Sequence, residues 1–467
     1  MNERLKQDLN DIASILDEVK NQGLLYLDHL HSRPTSNSHE MTSKTSLSVN
    51  GLGAKNTLKF FNETFEKILV SSSGPKYWGF VTGGTTPASI AGDWLATIYD
   101  QNAFKVSGQG DISAQIELET ILLLLDLFNL PKNLSGGLVS GATMSNLTCL
   151  ATARQWIGRH RKKDYAKEGI TEPIHVLAAQ PHSSVLKAMS LLGLGSVNIT
   201  IIKTNHGNQE SIDLVDLEKK ILQLSGTPFI LISSAGTVNT ADFDDFEGIG
   251  ELKKKFNFWW HIDAAFGGFA SCSKSHRHLI NGWQYADSFT IDCHKWLNVP
   301  YENAIFLMKE SHKTLQIETF QNSNAPYLEN KLGKVDYLNL LPENSRRLKA
   351  LPVWFSLLAY GKLGIQGIVD NSIENALSFG KMIDECPDFE LLAPVRLNTV
   401  CFTLNDYSES NVSIFLSTLN ETGKVFMSPT FYREKRGIRA AFVNWRTTLK
   451  DVSSVMILMQ KINKKIS

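Results

Sequence analysis

The stretch Ser288-Phe-Thr-Ile-Asp-Cys-His-Lys-Trp-Leu-Asn-Val-Pro300 runs from a short apolar strand pattern into a lysine, Lys295, set between His294 and Trp296. A second stretch, Trp259-Trp-His-Ile-Asp-Ala-Ala-Phe-Gly-Gly268, ends an apolar run in Asp263, 32 positions before that lysine. Each has an ordinary reading alone. Strand-end acids cap turns, and strand-end lysines extend to water. Together they place a carboxylate and an amine at neighbouring strand ends, a charged couple in a cleft. Burial disfavours the charged form of an amine, and a neutral amine is the form that attacks carbonyl carbon.

The surrounding pattern supplies the neighbouring strands. Ile174 to Ala178, Ile199 to Ile202, Phe229 to Ile232, Trp259 to Ile262, Ser288 to Ile291 and Ala304 to Leu307 are short β-branched or apolar runs. Helical segments such as Leu214 to Leu224 fall between several of them. Strands alternating with helices predict an α/β layer around a largely parallel sheet. Ligands of such sheets bind beyond the carboxyl ends of the strands.

Composition narrows the field. Across 467 residues, Lys+Arg and Asp+Glu stand at 47 each, so no charge excess points to nucleic acid or an anionic membrane. No apolar run is long enough to cross a bilayer. Five scattered cysteines without a CxxC pair argue against a disulfide framework or a zinc site and for a reducing, cytoplasmic setting; no metal is expected.

Leu5, Leu9, Ile12, Leu16 and Val19 form one face of an amphipathic helix, which packs either on its own body or on a second subunit. Ser32 to Asn50 reads as a loop. Beyond Leu351 a helix, Pro352 to Leu363, leads into a mixed tail with strands at Val400 to Thr403 and Ile438 to Phe442. The expected division is an N-terminal helical segment, 1–75, a large domain, 76–350, and a small α+β domain, 351–467.

Three further segments carry chemistry. Gly136-Gly-Leu-Val-Ser-Gly-Ala-Thr-Met-Ser-Asn146 reads as strand, turn and helix, and a helix start rich in small residues offers free N–H groups to an anion. Pro181-His-Ser-Ser-Val185 supplies His182. Ser234-Ala-Gly-Thr-Val-Asn-Thr240 precedes Asp242-Phe-Asp-Asp245.

With these motifs in this order, the chain resembles the pyridoxal-phosphate-dependent group II amino-acid decarboxylases. The resemblance implies the fold type I architecture of pyridoxal-phosphate enzymes, aspartate-aminotransferase-like, with a mostly parallel seven-stranded sheet. It implies pyridoxal 5'-phosphate as cofactor, held through a Schiff base on Lys295. Asp263 matches the acid that pairs with the pyridine nitrogen, keeping the ring an electron sink. Ala265 matches the small residue under the ring, and His182 the imidazole stacked over it. Ala142 and Thr143 match the phosphate cup, with His294 opposite. Thr237 matches the first threonine of a Gly-Thr-Thr loop, whose second threonine is Val238 here.

The resemblance also bears on the reaction. Tyr327, in Asn324-Ala-Pro-Tyr-Leu328, matches a loop tyrosine that protonates Cα after carbon dioxide leaves, so Lys295, His182 and Tyr327 are the implied catalytic set. Decarboxylation of an L-amino acid to its amine follows. An aminotransferase or carbon–carbon lyase on the same fold is the alternative, and a non-catalytic cofactor-binding protein a third. Arg346 or Arg347, in Glu343-Asn-Ser-Arg-Arg-Leu348, is read as a structural ion pair rather than a carboxylate site. Arg446 is a candidate near the substrate carboxylate. Phe80-Val-Thr82 replaces a Tyr-Phe-Pro run of the aromatic enzymes, which speaks against a tight aromatic slot without naming a replacement; resemblance to a bacterial branch of the family implies acidic or small polar amino acids as candidate substrates. The family also implies a homodimer with sites at the interface.

Overall fold

The computed structural model describes residues 2–39, 46–104, 111–321 and 336–466. Its centre is a seven-stranded sheet of β1 (Leu134–Val139), β2 (Val176–Ala178), β3 (Ile199–Ile201), β4 (Phe229–Ser234), β5 (Phe258–Asp263), β6 (Ser288–Ile291) and β7 (Ala304–Lys309). Their order is β1-β7-β6-β5-β4-β2-β3. The strands from β3 across to β6 run parallel, and β7 is antiparallel to both of its neighbours. The α/β reading with a mostly parallel seven-stranded sheet is what the chain forms.

Strands covered on both faces need apolar side chains throughout, not alternation. Accordingly β4 to β7 are buried almost end to end. Trp259 and Trp260 point to opposite faces, and each indole N–H is satisfied, by Ser288 and Ser233 respectively. Helices fill the faces, including Ala142–His160 and Ser183–Leu191 on one of them.

Register brings the chemistry together. Ser234 pairs with Asp263, Asp263 with Thr290, Ile291 with Ile305, and Val139 with Ala304. The carboxyl ends of β1, β4, β5 and β6 therefore meet at one edge of the sheet.

A second, antiparallel sheet has the order β10-β11-β9-β8, from β8 (Phe389–Leu391), β9 (Thr399–Leu404), β10 (Ser428–Tyr432) and β11 (Lys435–Ala441). It has its own core around Phe379, Phe402, Phe415, Phe442 and Met459. The helix expected to end near Leu363 breaks at Gly361 (φ 56°), and the helical run then continues to Asp384. It resumes because its apolar face continues through Ile365, Val369, Ile373, Ala376, Phe379 and Ile383. Residues before Ala376 join the large core and those after it the second core, so this helix links the two sheets.

The N-terminal stripe is split between helices Glu3–Asn10 and Ile12–Asp28. Among the described residues much of the stripe is left uncovered: Leu5 and Leu9 are each 62% exposed and Leu16 47%.

Candidate active site

Eight segments converge on a cleft of about 420 Å³ at the carboxyl edge of the large sheet. Ala142, Thr143, His182, Thr237, Asp263, Ala265, His294 and Lys295 all line it. Tyr327 lies outside the described residues.

Lys295 sits in the short helix Cys293–Trp296 that follows β6. Its ion-pair partner is not Asp263, as the paired strand ends suggest, but Asp292, with Nζ 2.9 Å from Asp292 Oδ2. The turn from β6 into the helix brings residues i and i+3 onto one side. Asp263 instead accepts hydrogen bonds from uncharged donors, Asn146 Nδ2 and the Ala265 N–H, each at 3.2 Å. The Asp292 N–H donates to the Ala265 carbonyl at 2.8 Å, fixing the ends of β5 and β6 to each other.

His182 is the N-cap of helix Ser183–Leu191, its Nδ1 accepting the Ser184 N–H at 3.2 Å. Desolvation by the cleft walls lowers its pKa from the ordinary value, with Asp263 opposing. His294 lies over the start of helix Ala142–His160, where a β-carbon at Gly141 would be 3.5 Å from its Cε1. Its Nδ1 accepts the Asn303 N–H, and burial lowers its pKa too. The first amides of that helix have no intrahelical acceptor, so an anion beside Ala142 and Thr143 meets free donors and the positive end of the dipole.

The Thr237 hydroxyl donates to Glu210, as does that of Thr240. Glu210 is buried and lines the cleft. The Val238 carbonyl accepts from Arg439 Nη1 at 3.1 Å. Arg439, on β11, is 9% exposed, lines the cleft, and its Nε has no hydrogen-bond partner among the described residues. Arg446 is absent from the lining: it donates to the Thr85 carbonyl at 3.0 Å and stacks on Trp445. Arg346 is structural, as read, with its guanidinium on Glu117 at 2.6 Å. Asp292, Glu210 and Arg439 are the charged cleft residues the sequence reading missed. Only Asp292 had a local signal, its place three residues before the lysine.

Phe80 and Val81, which line the cleft, both have φ of 57°. A β-branched residue in that region is strained, and here it forms part of the pocket wall.

A flat, dianionic, carbonyl-bearing ligand fits this donor set: helix amides for the anion, the Lys295 amine for the carbonyl, and a buried acid, Asp263, lining the same cleft. Fold and cleft together define a pyridoxal-phosphate enzyme of fold type I. The chain belongs to the pyridoxal-dependent decarboxylases, whose conserved domain matches residues 54–405, and is a pyridoxal-phosphate-dependent amino-acid decarboxylase. It is 27% identical to the aromatic-L-amino-acid decarboxylase of Bacillus atrophaeus, over 100% of this chain and 98% of that one. It is 25% identical to phenylacetaldehyde synthase of Arabidopsis thaliana, over 83% of this chain and 81% of that one. The crystal structure of Oryza sativa TDC with PLP and tryptamine superposes with a TM-score of 0.89, covering 98% of each chain at 21% identity.

Proposed function

We propose that this enzyme converts an L-amino acid to its amine and carbon dioxide, with Lys295 as the covalent anchor of the cofactor and Tyr327 as the proton donor to Cα. The observation that carries this reading is the meeting of Lys295, Asp263, His182 and the helix start at Ala142 in one cleft. When bound, pyridoxal phosphate supplies the electron sink that accepts the pair left behind by departing carbon dioxide.

The chain's own groups do the rest. Asp292 keeps the Lys295 amine at the cleft floor. Asp263 would hold the ring nitrogen, Ala265 would leave room for a flat ring, and His182 would stack on it. The helix start at Ala142 and Thr143, with His294, would take the phosphate. Thr237 braces the loop beside the ring by its bond to Glu210. Arg439, with an unpartnered buried Nε, binds a carboxylate of the substrate.

Residues 76–350 carry the cofactor, 351–467 form the small domain that brings Arg439, and 1–75 the arm of a homodimer. The exposed Leu5 and Leu9 support that assembly. Five free cysteines support a cytoplasmic setting.

A second reading comes from the aldehyde-forming relative: with the same cofactor and dioxygen as oxidant, loss of carbon dioxide together with oxidative deamination would yield an aldehyde, ammonia and hydrogen peroxide. Tyr327 supports the amine. The test is a twenty-amino-acid screen with added pyridoxal phosphate, measuring carbon dioxide, amine and aldehyde separately. Carbon dioxide with equimolar amine from one amino acid supports the reading; keto acid without carbon dioxide would replace it with an aminotransferase.

A further inference from the structure

Period-2 alternation puts Trp259, His261 and Asp263 on one face of β5, and Ser288 and Thr290 on the same face of β6. Helix Ala142–His160 covers that face and presents Asn146 to it. The result is a fully buried polar chain behind the cleft.

Donor and acceptor counting fixes its direction. Asp263 only accepts, so Asn146 turns its Nδ2 toward Asp263 Oδ2 (3.2 Å), and the second hydrogen goes to Ser184 Oγ (3.1 Å). Asn146 Oδ1 then receives Thr290 Oγ1–H (2.7 Å) and His261 Nε2 (2.9 Å), which must carry a hydrogen. Burial lowers the His261 pKa to about 4, so the ring holds one proton at working pH. Its bare Nδ1 accepts from Ser288 Oγ (2.9 Å), whose lone pair takes the Trp259 indole N–H (2.9 Å). Toward the cleft, Ser184 Oγ donates to His182 Nδ1 (2.8 Å), leaving the His182 hydrogen on Nε2. None of these atoms is among the buried orphan groups.

We propose that Asn146, oriented by His261 and Thr290, is the positioning residue of the cofactor's ring site, one amide that aims the Asp263 carboxylate and sets the His182 tautomer. Because the relay is uncharged, it satisfies Asp263 without neutralising it. The carboxylate's charge is left for the ring nitrogen, where a cation in the place of Asn146 would offset it. The inference rests on the reading of Asp263 as the partner of that nitrogen.

The test uses two ligands, pyridoxal phosphate and its 1-deaza analogue, which has C–H in place of the ring nitrogen. Affinities come from absorbance and fluorescence titration of the cofactor-depleted enzyme. Wild type binds pyridoxal phosphate the more tightly; equal affinities would refute the ring-nitrogen reading itself. Given that preference, Asn146→Leu reduces it by about 10- to 100-fold, the range of a hydrogen bond to a charged group. His261→Leu also reduces it, and His261→Gln, which keeps a donor at the Nε2 position, restores it. Equal loss of both ligands in Asn146→Leu would make the residue merely structural and overturn the proposal. Should the variants not fold, nitrogen NMR of 15N-histidine-labelled wild-type holoenzyme decides. One ring locked as the Nε2–H form and unchanged from pH 6 to 8 supports the relay; absence of such a ring sinks it.

Discussion

Gly83 packs directly against the Lys295 carbonyl oxygen: a β-carbon added at Gly83 would lie 2.0 Å from it, and 2.9 Å from the His294 carbonyl oxygen. Both obstacles are backbone, so the clash can be relieved only by moving the segment that carries the lysine. Gly84 is held beside it by its N–H on Asn298 Oδ1 at 2.8 Å. Gly83→Ala is therefore expected to cost cofactor retention and at least about 10²-fold in activity, the scale of a 1 Å misplacement. Gly367→Ala, where nothing lies within 4 Å, is the control and should be neutral. Cofactor content after gel filtration checks both.

Tyr327→Phe is expected to keep the bound-cofactor absorbance and lose amine formation by about 10²- to 10⁴-fold, the usual weight of a general acid. A rise in aldehyde and hydrogen peroxide in the variant would tie the tyrosine to the choice between the two outcomes. Unchanged amine output would remove Tyr327 from the mechanism.

The fold was legible where one physical cause dominated. A strand covered on both faces must be apolar throughout, so β4 to β7 stood out as runs such as Phe229 to Ile232. Asp263 and Lys295 were visible because each breaks such a run. Their partners were not, because pairing is decided by turns and by packing between distant segments. Lys295 takes Asp292 only once the chain turns into a helix after Ile291. Glu210 meets Thr237 across 27 positions. Arg439 belongs to the other sheet, and which face of β11 reaches the cleft depends on how the sheets pack. The strands β8 and β10 were missed for local reasons: β8 has three residues and β10 carries Pro429, at home on an edge strand.

Arg346 offers a test of structure against binding. Its guanidinium holds Glu117, the Ala103 and Leu138 carbonyls and the face of Tyr337, and the ion pair is 3% and 0% exposed. Removing one partner leaves the other charge buried, so Glu117→Gln should destabilise by about 3–5 kcal/mol. Arg347 pairs with Asp93 while 38% exposed, and Arg347→Met should cost under about 1 kcal/mol. Urea denaturation measures both. A raised KM with unchanged stability in Arg346→Met would assign that arginine to substrate instead.

The N-terminal stripe predicts the assembly. Leu5, Leu9 and Leu16 lie exposed along two consecutive helices, an apolar surface that water penalises at about 25 cal/mol per Å². Replacing all three with Gln is expected to convert a dimer to monomers in light scattering and to lower activity with it. A wild-type monomer with full turnover would refute the shared-site reading.

Asp287 governs acid stability at the opposite end of the sheet. Burial alone would raise its pKa, but the hydrogen bond from His312 and the charges of Lys253 and Lys309 hold it well below the usual carboxylate range. Lys253 Nζ is 2.5 Å away, Lys309 Nζ 3.2 Å, and the Trp260 N–H donates at 2.8 Å. A depressed folded-state pKa gives stability that is fully present above the unfolded value of about 3.9 and is lost as pH falls toward the folded one. Asp287→Asn should therefore cost about 3 kcal/mol at pH 7, the low end for a broken buried pair. The gap between wild type and variant should narrow below about pH 4, where Asp287 of the unfolded wild-type chain takes up a proton that the folded carboxylate still refuses. Urea midpoints measured from pH 3 to 8 give the curve; a gap that is constant across that range would show that the charge of Asp287 plays no part.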